Sequence, residues 1–378
     1  MTRIVVAGYA RSPFTPAKRG ELAPVRPDDL AAQVIRALME RTGVPGEAIE
    51  DVFVGCAFPE GEQGLNIARL SALLAGLPNT VAGATINRFC GSSMQSVHAA
   101  AGAIRMDAGE AFVCGGVESM TRVPIMGFNP MPNPTIAAEQ PGAYMSMGET
   151  AENVARRWQI PRDAQEAFAA ESHAKAARAQ AEGRFEAEIV PIRGKRGTVS
   201  ADGCIRPDTT AGTLAALKPA FDADGTVTAG TSSPLTDGAA AVLVCTEAFA
   251  QKHGLAPLAA IRSIAVSGCA PEIMGMGPVE ATRKALGRAG LKVSDLDVIE
   301  LNEAFASQSL ACIGDLGLDR ARVNLDGGAI ALGHPLGATG ARIVGKAAQL
   351  LKREGGRYAL ATQCVGGGQG IATVLEAI

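Results

Sequence analysis

The run Leu38-Met39-Glu40-Arg41-Thr42-Gly43-Val44 returns in altered form as Ala285-Leu286-Gly287-Arg288-Ala289-Gly290-Leu291, an offset of 247 residues. Each copy leads into an apolar segment, Ile49-Glu50-Asp51-Val52 in one case and Leu296-Asp297-Val298-Ile299 in the other. A helix, a turn and a strand repeated at so long a spacing argue for two copies of one α/β unit, each burying the same kind of face. Carried forward, the offset sets Cys90 against Gly337, helix Gly91 to Met106 against Ala338 to Lys352, and strand Ala111 to Cys114 against Arg357 to Thr362.

Strand Ile4 to Ala7, the helical pattern Asp28 to Thr42 and strand Val52 to Val54 alternate as an α/β architecture requires. With 378 residues the chain exceeds the roughly 250 to 300 at which single cores stop growing. Residues 120–230 differ in texture. Pro124 to Pro141 is rich in Pro, Met, Asn and Gly without periodicity, and Pro161 to Glu182 reads as a long Ala-rich amphipathic helix. Gly225 to Ser233 and Gly238 to Val244 then return to strand and buried-helix character. The expected organisation is an N-terminal half over 1–119, completed by about 231–253, an inserted loop domain over 120–230, and a C-terminal half over 254–378.

Composition removes several functions. A formal charge of -3, a pI near 5.9 and 4% aromatic residues leave no basic, base-stacking footprint for nucleic acid. The eight cysteines include no C-x-x-C pair and no zinc-site spacing, so no metal is expected. The chain opens on Arg3-Ile4-Val5-Val6-Ala7-Gly8, a strand and not an export signal, so the thiols are expected to stay reduced in a cytoplasm. No apolar run approaches the roughly 18 residues of a membrane helix, and Leu375-Glu376-Ala377-Ile378 is not a peroxisomal address.

Chemistry concentrates in a few glycine-rich segments. Cys90, in Asn87-Arg88-Phe89-Cys90-Gly91-Ser92-Ser93-Met94, falls between strand Gly83 to Ile86 and a helix beginning at Gly91 or Ser92. The helix N-terminus favours a thiolate there. Such sites lower a cysteine pKa from about 8.5 to roughly 3.5–7.5. The alternative is a packed cysteine at a helix start. His334, in Gly333-His334-Pro335-Leu336-Gly337, sits where a proline fixes the chain and glycines leave space, the setting of a base or of a turn histidine. His98 and His253 read as helix-face residues, and His173 as a surface position. Cys364 follows strand Tyr358 to Ala361 and precedes three glycines that can aim N–H groups at a carbonyl oxygen. Gly366-Gly367-Gly368-Gln369-Gly370 is a poor dinucleotide loop, because no βαβ unit follows it. Asn302, after strand Val298 to Leu301, is placed to hold a water or to cap the next helix.

Taken in order, these segments resemble the thiolase family over essentially the whole chain. The resemblance implies a five-layered αβαβα core of two similar halves with an inserted loop domain. It implies that Cys90 accepts the acyl group, that His334 activates it, and that Cys364 is acid and base at the carbon next to the thioester. One oxyanion hole would be His334 with a water on Asn302, the other the N–H groups of Cys90 and Gly366. Coenzyme A would be a co-substrate, with no permanently bound cofactor. Arg206 matches a position near its adenine end and Ser233 one on the pantetheine arm. Met147, Met274 and Phe305 match the thioester pocket, a use suited to adaptable methionines, although either methionine could be plain core. The assembly implied is a homodimer or homotetramer.

Two departures stand out. Tyr144-Met145-Ser146-Met147-Gly148 lacks the histidine that short-chain biosynthetic members carry before Met-Gly, which favours degradative members acting on 3-ketoacyl-CoA over acetoacetyl-CoA thiolases. Asn324-Leu325-Asp326-Gly327 brings in a carboxylate that either perturbs His334 or faces a turn. A non-catalytic lipid carrier of the same fold would have lost reactive side chains, and a ketoacyl synthase commonly lacks the second cysteine. This chain keeps Cys90, Asn302, His334 and Cys364.

Overall fold

The computed structural model describes residues 2–378. Its strands are β1 (Ile4–Arg11), β2 (Thr15–Pro16), β3 (Asp51–Gly55), β4 (Ala82–Ile86), β5 (Ala111–Ser119), β6 (Ile192–Gly194), β7 (Gly197–Val199), β8 (Thr236–Thr246), β9 (Ala259–Gly268), β10 (Val298–Leu301), β11 (Tyr358–Val365) and β12 (Gln369–Glu376). Its α-helices are α1 (Pro27–Thr42), α2 (Ile67–Ala75), α3 (Ser92–Arg105), α4 (Pro134–Glu139), α5 (Met147–Arg157), α6 (Arg162–Ala181), α7 (Ala211–Ala215), α8 (Glu247–Lys252), α9 (Gly277–Ala289), α10 (Ala306–Leu316), α11 (Ala329–Leu332) and α12 (Thr339–Glu354).

Apart from the β6–β7 hairpin, the strands form a ten-stranded sheet in the order β10-β11-β12-β9-β1-β8-β5-β3-β4, with β2 on β8. The junction is thin: β1 and β9 share only the pairs Val5–Ala260 and Val6–Ala259. Outward from it both sides repeat one plan. β8 lies antiparallel to β5 and β5 parallel to β3, as β12 lies antiparallel to β11 and β11 parallel to β10. The place of β4 is taken on the second side by a single parallel bridge between Ile299 and Val323. The spacing read from the sequence holds element by element, since α3 and α12 start at Ser92 and Thr339, and β5 and β11 at Ala111 and Tyr358.

Strand alternation sorts the apolar side chains into three cores. Val5, Val113 and Leu243 pack with Leu30 and Ile35 of α1 and with Ile67 of α2. On the opposite face Val6, Phe112 and Val244 meet Met94 and Val97 of α3, Ile343 and Val344 of α12, and Ala361 and Ile371 of the other sheet half. Leu360, Ala372 and Val374 then face Ala285 and Leu286 of α9 and Ile313 of α10. The order is helix, sheet, helix, sheet, helix, the five layers expected. Because α12 lies in the middle layer it is buried nearly all round, Arg342 and Lys346 included.

The region between the halves rests on the C-terminal half through α5 and α6, which pack against α10 and α11. The stretch read as aperiodic contains α4, started by Pro134 and capped by Asn133, whose Oδ1 accepts from Thr135 N and Ile136 N. Helix α6 forms where expected, but His173 is fully buried on its inner face and not at the surface. Segment Gly238 to Val244 is strand throughout. Buried on both faces within β8, it shows a continuous apolar run that periodicity alone does not separate from a buried helix.

Candidate active site

Cys90 lies in a single 3-10 turn, Phe89–Gly91, that runs into α3 at Ser92. Phe89 holds φ at +42°, a left-handed conformation costing a non-glycine residue about 1–3 kcal/mol. Several bonds fix it. Asn87 Oδ1 accepts from Phe89 N at 2.8 Å. Ser92 Oγ accepts from Arg88 N at 2.9 Å and donates to Phe89 O at 2.6 Å. The Gln363 amide donates to Cys90 O. Gly366 packs on the Phe89 ring of the same turn, where a Cβ would lie 3.4 Å from it, and its N–H favours the Cys90 thiolate.

Burial pushes the Cys90 thiol up to about 12, against the pull of the Gly366 N–H, and the Glu118 carboxylate adds to the rise. This reverses the low value expected at a helix start. The thiol is so thoroughly removed from water that desolvation outweighs the helix dipole. Cys364 lies inside β11 rather than beyond its end, because the strand continues to Val365. Burial raises this thiol well above the usual range, and the Cys90 sulfur adds to the rise. After it, Gly367 and Gly368 adopt φ of +77° and +79°, the left-handed turn that returns the chain into β12.

His334 is 4% exposed and follows α11. Its N–H donates to Thr236 Oγ1 at 3.0 Å. Thr339 Oγ1 donates to Pro335 O at 3.1 Å, so it accepts from His334 Nδ1–H at 2.6 Å. That network assigns the lone pair to Nε2. Burial drives the imidazole down to about 3, with Arg342 adding to the fall, so the resting ring is neutral. Asn302 Nδ2 stands 3.5 Å from Nε2, and Asn302 Oδ1 is buried with no partner among the described residues. Asn302 does not cap α10, which starts at Ala306 with Phe305 in the capping position.

Several contacts join the cysteine pair to the histidine pair. Asn302 N donates to Thr362 O, two residues before Cys364, at 3.0 Å. The turn carrying Cys90 packs on the turn Leu336–Ala338 that follows His334. Glu118, buried on β5, accepts from Ala57 N and Gly337 N at 2.8 Å each and from Gln63 Nε2 at 2.9 Å. Gly337 is glycine because a Cβ there would lie 2.7 Å from Gly55 O. Thr339, Glu118, Gln363 and Thr236 escaped the sequence reading, since each acts through one long-range bond and belongs to no local pattern.

Met274, Phe305 and Cys364 share one apolar cluster with Ala151, Val227 and Ala304, and Met147 packs on its edge. Ser233 N donates to Ala304 O at 3.0 Å, which puts Ser233 beside this cluster. Arg206 lies apart from it, on a cleft of about 640 Å3 that it lines with Thr213, Leu214, Ala229 and Gly230. There Arg206 N donates to His173 Nδ1 at 3.2 Å, and its guanidinium stands 3.1 Å from Nε2. His98, on α3, pairs with Thr373 Oγ1 at 2.9 Å.

Asp326 does not bear on His334. Its carboxylate is taken up by Arg353 at 2.7 Å, Lys346 at 2.8 Å and Arg184 at 3.1 Å. Despite its burial, the Arg353 and Lys346 contacts hold it down at about 2. Among the described residues no group of three or more His, Cys, Asp or Glu is arranged to hold a metal ion, and no helix is long and apolar enough to cross a membrane.

Residues 4–248 match the thiolase N-terminal domain family, and residues 255–377 match the thiolase C-terminal domain family. The chain belongs to the thiolase family. A 3-ketoacyl-CoA thiolase of Bacillus subtilis is 48% identical to this thiolase over the full length of both chains. The 3-ketoacyl-CoA thiolase of Aliivibrio fischeri is 49% identical, again over all of both. Among solved structures, the acetyl-CoA acetyltransferase of Bacillus anthracis is similar with a TM-score of 0.92 at 40% identity, covering 100% of this chain and 99% of that one.

Proposed function

We propose that this thiolase cleaves 3-ketoacyl-CoA with coenzyme A, releasing acetyl-CoA and a shortened acyl-CoA by way of an acyl-Cys90 intermediate. The observation that carries the reading is the turn of Cys90, whose carbonyl takes the amide of Gln363 next to Cys364 and which packs on the turn after His334, an imidazole with its lone pair on Nε2. His334 Nε2 takes the Cys90 proton as Sγ attacks the 3-keto carbon, so the thiolate exists only while it reacts. The C2–C3 bond then breaks and the Cys364 thiol gives its proton to C2 of the departing acetyl-CoA. The resulting Cys364 thiolate takes the proton of an incoming coenzyme A, whose sulfur attacks the acyl carbon. Cys90 leaves and recovers its proton from His334. Run backwards, the same steps join two thioesters.

Asn302 with His334 faces one developing oxyanion, and the N–H groups of Cys90 and Gly366 face the other. The cluster of Met147, Met274 and Phe305 would cover the thioester, Ser233 would lie along the pantetheine arm, and Arg206 would meet the nucleotide end in its cleft. The relatives named 3-ketoacyl-CoA thiolase, together with Tyr144-Met145-Ser146, favour a degradative enzyme, here placed in the cytoplasm as a homodimer or homotetramer. Acetoacetyl-CoA thiolysis is the second reading, favoured by the solved acetyl-CoA acetyltransferase. Thiolysis rates across 3-ketoacyl-CoA substrates from four carbons upward separate the two, and a sharp maximum at four carbons overturns the first. Brief iodoacetamide treatment with peptide mapping tests the nucleophile: selective Cys90 labelling blocked by acyl-CoA is expected, and indifferent labelling refutes it.

A further inference from the structure

Behind His334 and Asn302 stands a buried ion pair that the steps above do not use. Glu300 lies on β10, two residues before Asn302, which continues the chain just past the strand's end. Arg342 lies three residues beyond Thr339 on α12, hence on the same face of the helix. Arg342 Nη1 donates to Glu300 Oε2 at 2.7 Å, and both side chains are 1% exposed. The strand and helix that carry Asn302 and the partner of His334 are thus tied together again one step deeper. Glu300 Oε1, Arg342 Nε and Nη2, and Tyr9 Oη on β1 are buried without partners among the described residues. A pair so deep and so incompletely bonded gains little stability over apolar side chains of the same volume. Its presence calls for another task.

We propose that Glu300 and Arg342 are positioning residues for His334: Arg342 holds α12 against β10, and Glu300 cancels the guanidinium charge that would otherwise oppose the imidazolium formed during the reaction. The inference rests on the reading of His334 as the base. The other groups facing the pair are Lys346 on α12, Asp326 from the loop before α11, Glu188 from the region between the halves, and Tyr9. Burial lifts the Glu300 carboxyl to about 7, while Arg342 and Lys346 pull it down and Asp326 and Glu188 push it up. Arg342 lies close enough to depress His334, so losing the Glu300 charge exposes the imidazole to an uncompensated cation.

The test is Glu300→Gln, which keeps an oxygen for Arg342 and removes the charge, measured with the double variant Glu300→Gln/Arg342→Met. For Glu300→Gln, kcat for thiolysis of a six-carbon 3-ketoacyl-CoA should fall about tenfold with KM within about twofold. Its iodoacetamide alkylation profile at Cys90 should move about one unit toward lower pH, because the uncompensated guanidinium that opposes the imidazolium favours the thiolate, the scale being that of one buried charge at an effective dielectric of about 20. The double variant should bring the profile back. A Glu300→Gln enzyme with unchanged kcat and profile overturns the proposal, as does a double variant that remains displaced. Should Glu300→Gln not fold, Arg342→Met alone must move the profile to higher pH, and no shift or the opposite shift overturns the proposal. His334→Ala is run in parallel: full activity there would refute the base itself, a failure distinct from that of the pair.

Discussion

Replacing Thr339 by valine removes one hydroxyl and almost no volume. That hydroxyl accepts from His334 Nδ1 at 2.6 Å and donates to Pro335 O at 3.1 Å, both inside the protein. The variant leaves an imidazole N–H unpaired, while Pro335 O keeps the Ala338 and Thr339 N–H groups, and a buried group left unmet costs about 1–3 kcal/mol. The ring escapes part of that cost by moving its proton from Nδ1 to Nε2, which removes the lone pair that must receive the Cys90 proton. If the cost falls on the reacting state, kcat drops by about five- to 150-fold, the factor that corresponds to 1–3 kcal/mol. KM should stay within about twofold, because no residue of the thioester cluster is altered. Steady-state thiolysis of a six-carbon 3-ketoacyl-CoA measures both constants, and a thermal melt records what the fold absorbs. Thr339→Ser keeps the hydroxyl and should stay near wild-type rate. A valine variant with wild-type kcat, or a serine variant as impaired as valine, refutes the argument.

Asn302→Ala should lower kcat by about 10²–10³, the usual loss of one oxyanion donor, with an unchanged circular-dichroism spectrum; a normal kcat removes Asn302 from the mechanism. Asp326→Ala leaves the buried Lys346 without that carboxylate. It should destabilise the fold by about 3–5 kcal/mol in urea titrations, while kcat of the folded protein stays within about threefold. His98 is held down to about 3 by burial, with Arg88 and Arg288 adding, against 6.5 when exposed, so on acidification the unfolded chain takes up this proton first. Stability measured against His98→Gln should therefore be fully retained above pH 6.5 and fall by about 1.4 kcal/mol per unit from there toward pH 3. His334 should remain neutral from pH 8 to pH 5, and an imidazolium signal near pH 6.5 in a nitrogen NMR titration would contradict its burial.

Much of this protein is legible where one short segment carries the whole signal. Gly91-Ser92-Ser93 announces the start of α3, and the recurrence at 247 residues announces a second copy of the unit. Where a residue's role depends on what faces it, the sequence is mute. Asp326 reads as a neighbour of His334, yet three cations brought from α12 and from Arg184 claim it. His173 sits in a run of Ala, Glu and Lys that looks solvated, and only the packing of α6 on α11 puts its ring inside. The Cys90 thiol follows the same logic. Its helix start is visible in the sequence, but the two layers that close over it and reverse the sign of its shift are assembled from distant segments.

The order in which the chain is made gives the late position of β12 a further meaning. β12 lies between β9 and β11, within the sheet and not at its margin, and it follows both of them along the chain. Until it arrives, those two strands have nothing to bridge them, and the turn that presents the Gly366 N–H lacks its returning arm. Cys90 therefore emerges well before the strands that bring its helper groups, and until they pair it is an ordinary solvated thiol with neither a base nor a fixed N–H beside it.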